Sequence, residues 1–451
     1  MGALGAIGAL GAIRRLLAGR RDLRLVLTAG LVSVTGDWVL ATGLAYCVYV
    51  LTGSTVASAV TVMATFVPQV FLGPLAGVFA DRWDRKRTMV TTNLLLAVGL
   101  SPLMLVRDRN QVWIVVAVLV CQGAVSQFFA PAEQAMLPRL VAEGELAAEG
   151  ELLTANTLLA QSRDLARLIG AALGGVLAAA GGIRALAVAD AGSFVAAAAF
   201  IGLVRAGGRV EAAQHTQQAQ HARRVADVVR ELGAGLRLTL ARRVLRVLMV
   251  FVLLTGIGEG VMGTLFAPFV RQVLHGDSRA YGLIAAVQAI GGILGGLGVA
   301  ALGQRVPPAR LLGFGALAFG AVDLAIFLYP LGYAAIWPAV LGMIVVGLPG
   351  ALTVAGMYTL FQQHTADAFR GRAFGALVGV EGICQLVATL AAGYLAQVIG
   401  IVPVLVLQGV CYLAAGLTVL LAVREPVTFS PAAPGRSAAG PPPRLQGSPK
   451  G

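Results

Sequence analysis

Nine ionisable residues sit inside stretches that are otherwise almost wholly apolar: Asp37, Glu133, Arg163, Asp164, Arg167, Asp190, Glu259, Asp323 and Glu381. At the centre of a membrane-spanning helix each costs about 2.5–3.5 kcal/mol on insertion scales, so it has to be paired, solvated or used. The chemistry open to such a set is charge pairing and proton exchange. Asp37 and Glu259 correspond in depth, each about 20 Å into its stretch at 1.5 Å per residue. Arg167 is expected at about 22 Å, level with Asp37, so an Asp37–Arg167 ion pair is expected, either structural or coupling. Glu259, Asp323 and Glu381 share the second half of the chain, where no arginine lies in mid-stretch. An unpaired carboxyl in a low dielectric disfavours its charged form and can take up and release protons. Glu259 is the first candidate for that role and Glu381 the second. Asp190 and Asp323 read as locally hydrogen-bonded or water-exposed acids, and Glu133 as one that reaches the interface.

Other chemistries lack their residues. A phosphate-binding loop needs Gly-Lys-Ser/Thr. Here Arg85 precedes Lys86, and Gly451 follows Lys450. No Gly-x-Ser-x-Gly elbow and no His-Glu-x-x-His occurs. The literal Gly-x-Gly-x-x-Gly at Gly258–Gly263 has no strand before it and reads as helix packing. Cys47, Cys121, Cys384 and Cys411 are widely spaced within apolar runs, which suits small buried hydrophobes. No enzyme activity, metal or cofactor is expected.

The elements that must position the buried charges follow from composition. Of 451 residues, 58% are hydrophobic and only 12% charged. Soluble domains are about 25% charged, so this chain reads as an all-α integral membrane protein. Apolar stretches long enough to cross a bilayer fall near 24–51, 55–80, 88–106, 112–137, 152–181, 183–204, 242–272, 279–303, 310–329, 334–362, 370–399 and 401–423. That makes about twelve spans. Gly181-Gly182 splits the fifth from the sixth, and Gly400 the eleventh from the twelfth. The net charge of +13 is not gathered into one stripe, as nucleic-acid binding would need. With the N-terminus inside, 27 of the 34 Lys and Arg fall on the inner side and five on the outer. The positive-inside rule therefore places both termini in the cytoplasm.

This gives a cytoplasmic segment 1–23 and a six-helix bundle 24–204. A cytoplasmic linker 205–241 follows, then a second six-helix bundle 242–424 and a disordered Pro-rich tail 425–451. No cleaved signal is expected, because GALGAIGALGAI precedes rather than follows the first arginines. Val225, Val228, Val229, Leu232 and Leu236 recur at helical spacing and suggest an amphipathic helix on the inner leaflet. Paired six-helix halves around a midplane site form a common secondary-transporter design.

The most specific motif joins spans two and three: Gly73-Pro-Leu-Ala-Gly77-Val-Phe-Ala-Asp81-Arg82-Trp83-Asp84-Arg85-Lys86-Arg87. It resembles the signature loop of the major facilitator superfamily at Gly77, Asp81, Arg82, Arg85 and Lys86, with Asp84 where Gly is usual. The Asp-Arg-x-Asp-Arg-Lys-Arg form is similar to the branch of enterobactin and macrolide exporters. Phe129-Ala-Pro131, Leu137-Pro138-Arg139, Ala155-Asn156 and the basic entry Arg370-Gly371-Arg372 extend the likeness. Two antiporter motifs are altered: Leu119 replaces the Arg of the fourth span, and Gly170-Ala-Ala-Leu-Gly174-Gly175 lacks its Pro.

The resemblance implies a monomeric inner-membrane exporter of a hydrophobic or amphiphilic small molecule, with protons and membrane lipid as its other partners. An uncoupled facilitator, a lysophospholipid flippase and a non-transporting receptor or scaffold are the alternatives. The bland reading of residues 81–87 is a positive-inside anchor. A gate is the sharper one, with Asp81 meeting Arg370, Arg372 or the free N–H groups at the start of span eleven.

Orientation is directly testable. Epitope tags at the N-terminus and on the Pro-rich tail should both be protected in intact cells. External labelling of either tag overturns the assignment.

Overall fold

The computed structural model describes residues 20–80, 84–129, 132–133, 136, 140, 149–205, 237, 239–302, 306–365 and 370–423. Its elements are helices: α1 Arg21–Thr52, α2 Thr55–Ala80, α3 Arg85–Gly99, α4 Val112–Ser126, α5 Glu149–Gly202, α6 Arg243–Pro268, α7 Ser278–Leu302, α8 Pro308–Leu328, α9 Ile336–His364, α10 Arg370–Ile399 and α11 Ile401–Ala422. In hydrocarbon no water satisfies exposed backbone N–H and C=O groups, so each crossing must close its own hydrogen bonds. Among the described residues each of the stretches expected from hydropathy overlaps a helix, the fifth and sixth sharing α5 and the end of the fourth lying partly outside the described residues. Among the described residues, ten helices are long and apolar enough to cross a membrane, and Thr55–Pro68 is a shorter apolar one. Large apolar side chains such as Leu95, Val98, Trp113, Leu297 and Val398 are exposed on the outside. In water they would be a liability; in a bilayer they are the lipid contact.

Ends and turns follow local chemistry. Gly53 ends α1 at φ 65°, a left-handed conformation, with its N–H on the Tyr49 carbonyl. Asp84, the departure from the usual signature, caps α3 by accepting the Arg87 N–H at 2.9 Å. Gly400 precedes α11 at φ 92°. Within α5, Gly182 breaks the helix at φ 57° and ψ −148°. The chain turns back there. A Cβ on Gly43 of α1 would touch both Leu186 and the Gly174 carbonyl, which lie on opposite sides of Gly182. The two parts of α5 are therefore antiparallel and share α1 as their neighbour.

Packing divides the helices into two sets. α1 lies on α5, α2 on α4, and α3 on α5; later, α6 lies on α10, α7 on α9, and α8 on α9 and α11. The sets meet through α5 against α7 and α2 against α10. The second set has one large apolar core, built on Phe251, Phe269, Phe327 and Leu360. Tyr46 of α1 reaches into that core. The first set has two smaller cores, one around Leu44, Leu103 and Leu186, the other around Leu23, Met89 and Met136. The expected amphipathic helix of the linker, with Val225, Val228, Val229, Leu232 and Leu236, lies outside the described residues, as do the segment 1–19 and the tail from 424. Among the cysteines only Cys411 is buried. Cys121 is exposed on α4, contrary to the expectation for it, because lipid can cover a small apolar side chain as well as protein can.

Close helix contact rests on glycine. A Cβ on Gly291 of α7 would lie 1.8 Å from the Ile344 carbonyl oxygen of α9, whereas one on adjacent Gly292 would meet nothing within 4 Å. Gly291→Ala should destabilise by about 1–3 kcal/mol through overpacking and lower the apparent Tm in detergent. Gly292→Ala should leave it unchanged. Equal effects of the two substitutions contradict the packing assigned to α7 and α9.

Candidate functional site

Between the two helix sets lies a cavity of about 1120 Å³. Apolar and aromatic side chains form much of its wall, among them Trp38, Phe66, Phe194, Phe266, Tyr281 and Phe319. Its charged lining, among the described residues, is five acids and one base: Asp37, Asp164, Asp190, Glu259 and Asp323 against Arg167. Large, mostly apolar pockets with a few convergent polar groups are the usual form of a small-molecule site.

Arg167 does not make the expected ion pair with Asp37. Its guanidinium lies 5.1 Å above the centre of the Trp38 ring, a cation–π contact. Its Nη2 donates to Gln288 Oε1 on α7, in the second helix set. The carboxylate acting most strongly on its charge is Glu259, followed by Asp164. Arg167 therefore reaches across the cavity rather than neutralising its own half. Sequence position put Asp37 and Arg167 at one depth; facing was decided by Trp38, which occupies the space over the guanidinium. Asp37 is left open to the cavity. Its acidic neighbour is Asp190, which accepts the Ser193 hydroxyl at 3.2 Å, the local hydrogen bond expected of that residue.

Arg163, one turn before Arg167, bonds Glu133 at 2.9 Å. Glu133 is buried rather than at the interface, with α1 close beside it at Gly30. The Arg163 pair compensates its burial.

In the second half, Glu259 accepts the Tyr412 hydroxyl at 2.6 Å. Tyr412 stacks on Phe319 at 4.3 Å and lies among the carboxyl groups of Glu259, Asp323 and Glu381. Glu381 is half-buried on α10, and its backbone packs on Gly256. Asp323 is neither locally bonded at both oxygens nor water-exposed, as its sequence position had suggested: it is 2% exposed and its Oδ2 has no hydrogen-bond partner. The Gly-x-Gly-x-x-Gly run is helix packing, with Gly258 against Gln408 and Tyr412, and Gly260 against the Gln385 carbonyl.

Of the signature loop, Asp81 and Arg82 lie outside the described residues; Gly77 lies within α2, and of Arg370 and Arg372, at the start of α10, the side chains are not described. Lys86 donates to the Val204 carbonyl at 2.7 Å, which ties the loop to the end of α5 in its own helix set. A cation at a helix C-terminus is favoured by the helix dipole.

At the end of the molecule formed by the α1–α2 and α6–α7 turns, the two sets touch. Tyr46 donates to the Gly276 carbonyl at 3.1 Å, and Thr55 to the Gly393 carbonyl at 2.6 Å. Gln397 donates to the Ser54 hydroxyl at 3.3 Å. Gly175 of α5 and Gly282 of α7 cross backbone to backbone; a Cβ on Gly282 would lie 2.6 Å from the Ala171 carbonyl and 2.8 Å from Gly175 Cα. The altered antiporter motif thus supplies one side of this closure.

Gly282→Ala should wedge this end open. In a cysteine-free background with a reporter cysteine replacing cavity-lining Ala285, it should increase alkylation by an impermeant maleimide added at that end. Gly263→Ala is the control, since its Cβ would meet only Val62 Cγ1, at an ordinary 3.8 Å. Unchanged labelling in Gly282→Ala removes the crossing from the closure.

Comparison with known proteins agrees with this arrangement. The family described as transmembrane secretion effector matches residues 19–443. An uncharacterised transporter of the same superfamily, YfiS from Bacillus subtilis, is 24% identical over 90% of this chain and 94% of its own. The multidrug efflux pump Tap of Mycobacterium tuberculosis is 26% identical over 84% of this chain and 87% of its own. The crystal structure of the nucleoside transporter NupG superposes with a TM-score of 0.69 at 12% identity, covering 89% of this chain and 98% of that one. A fold of paired helix sets around a charged cavity, with a family match along nearly its whole length, means that the chain belongs to the transmembrane secretion effector family of the major facilitator superfamily.

Proposed function

We propose that this membrane transporter exports cationic amphiphilic small molecules from the cytoplasm of a bacterial cell in exchange for protons. The observation that carries the reading is the cavity wall: aromatic and apolar surface bearing five acids and one base. Such a wall attracts a lipophilic cation twice, through apolar burial and through a negative field made stronger by low-dielectric walls. The likeness to a multidrug efflux pump supports the export direction.

Both termini lie in the cytoplasm in this reading, and the protein works as a monomer in the inner membrane. The end closed by Tyr46, Thr55 and the Gly175–Gly282 crossing then faces outward. Substrate enters from the inside and sits with its cation near Asp37, the acid without Arg167 as partner. Glu259 is the proton carrier, with Glu381 second. While Glu259 is ionised it attracts Arg167 from the other half; protonation removes that attraction. The charge state of one carboxyl thereby biases how the halves pack, which is what alternating access requires. In the opposite state Asp81 meets Arg370, Arg372 or the backbone N–H groups at the start of α10 and closes the cytoplasmic end, with Gly77, Arg82, Arg85 and Lys86 shaping the loop.

The test is uptake of a fluorescent lipophilic cation such as ethidium into inverted vesicles, with and without an imposed pH gradient. Glu259→Gln should lose the response to the gradient while binding the cation within about threefold of wild type. Asp37→Asn should weaken binding about tenfold, near 1.4 kcal/mol, with normal amounts of folded protein, because Arg167 keeps Gln288. A Glu259→Gln protein that responds fully to the gradient rules out this carrier. Wild-type flux indifferent to the gradient rules out antiport itself.

A further inference from the structure

On the helices that carry the Phe319–Tyr412 stack, two buried oxygens lack any hydrogen-bond partner: Asp323 Oδ2 on α8 and Gln408 Oε1 on α11. Both residues are 2% exposed, and both line the inner wall of the cavity. The two helices touch backbone to backbone beside them. A Cβ on Gly320 would lie 2.6 Å from the Gly409 carbonyl, and one on Gly409 would lie 2.6 Å from Leu324 Cγ. Residues 323 and 408 are thus held where α8 and α11 come closest.

Two buried, unpartnered acceptors at one helix crossing call for a donor. A buried, unpaired carboxylate is among the costliest groups a protein can hold. A single proton on Asp323 answers both problems, since a neutral carboxyl carries an O–H that Gln408 Oε1 can accept. We propose that Asp323 is a second proton-holding residue of this transporter, storing the exported cation's counter-proton against Gln408 while Glu259 at the cavity surface is ionised.

The surroundings suit exchange between the two acids. Glu259 is half-exposed to the cavity and already accepts the Tyr412 hydroxyl, and Tyr412 lies close to both Glu259 and Asp323. When the proton moves, Asp323 becomes the carboxylate and Glu259 the neutral acid. Tyr412 gives its own proton to Glu259 and receives one from Asp323, so it ends unchanged and net charge is conserved. The titratable groups around Asp323 are Glu259 from α6 and Tyr412 from α11, and Glu381 from α10 is a neighbour of Glu259 and Tyr412. From α9 the cavity-facing residues nearby, Met343, Gly347, Gly350 and Thr353, are uncharged.

The inference rests on the proton-antiport reading for its role in transport, but its structural part can be tested alone. The first measurement is the infrared carbonyl stretch of protonated carboxyl groups in the purified, detergent-solubilised protein at neutral pH. Wild type should show a buried component that Asp323→Asn removes and Glu259→Gln keeps. Asp323→Asn should fold normally, because its amide N–H can donate to Gln408 as the neutral acid would. Gln408→Leu should shift the band to that of a free carboxyl group. The second measurement is pH-gradient-driven uptake into inverted vesicles. Asp323→Asn should lose most of the gradient response and keep cation binding within about threefold.

A band unaffected by Asp323→Asn overturns the inference. It would mean that Asp323 is ionised, bridged by water or met by a turned Gln408 amide. A full gradient response in Asp323→Asn, with wild type responding, also overturns it. If wild type does not respond at all, the antiport reading fails, and the band alone decides whether Asp323 holds a proton.

Discussion

Arg167 is the single base in the described wall of a cavity with five acids, and the architecture of the site depends on where its charge is satisfied. It could have been quenched inside its own helix set. Instead Trp38 covers one face of the guanidinium, and Gln288, from the other set, takes a hydrogen bond at its edge. A neutral partner leaves the charge intact, so it still responds to Glu259. An Arg167–Asp37 pair would have been electrostatically closed and indifferent to events in the second half. The arrangement also leaves Asp37 open to the cavity. One contact therefore sets three properties together: the bridge between halves, the sensitivity to Glu259 and the free acid facing the cavity.

Glycine does different work within and between the halves. Within a half it lets helices fuse permanently, as Gly260 does against the Gln385 carbonyl and Gly416 against Gly313. Between halves the same backbone contact recurs at Gly175 and Gly282, but its surroundings differ. There the side-chain hydrogen bonds join uncharged groups: Tyr46 to the Gly276 carbonyl, Thr55 to the Gly393 carbonyl and Gln397 to the Ser54 hydroxyl. Neutral bonds of this kind contribute about 0.5–1.5 kcal/mol net each. A buried ion pair would cost far more to break, since it leaves charges unpaired. A closure made of glycine crossings and neutral hydrogen bonds can release without stranding a charge.

The backbone was more legible in the sequence than the site. Hydropathy located the long helices among the described residues, because the bilayer permits little else for an apolar segment of that length. The breaks at Gly182 and Gly400 were readable as well, since only glycine takes those left-handed conformations cheaply. Depth along a helix could be counted; facing could not. Arg167 and Gln288 are separated by 121 residues, and nothing local in the sequence joins them. The Glu133–Arg163 pair was hidden for the same reason. Asp84 could have been found from sequence: an Asp immediately before a run of helix formers is an N-cap signal, and its place in the basic loop drew attention to charge instead. Asp323 resembled any polar interruption of an apolar span; its significance lies in Gln408, which carries no charge and so had no place among the ionisable residues.

The two acids of the second half illustrate what burial adds to residue type. Glu259 and Asp323 carry the same functional group within one apolar wall, yet they cannot serve the same purpose. Glu259 is half-exposed and has the Tyr412 hydroxyl as donor. Asp323 is buried, and its Oδ2 has no hydrogen-bond donor. Environments that push two neighbouring carboxyl groups toward opposite protonation states are a general way to divide acid and base roles. Here the division follows access. Both acids line the cavity, but Glu259 presents a half-exposed carboxyl to whatever occupies it and Asp323 a buried one.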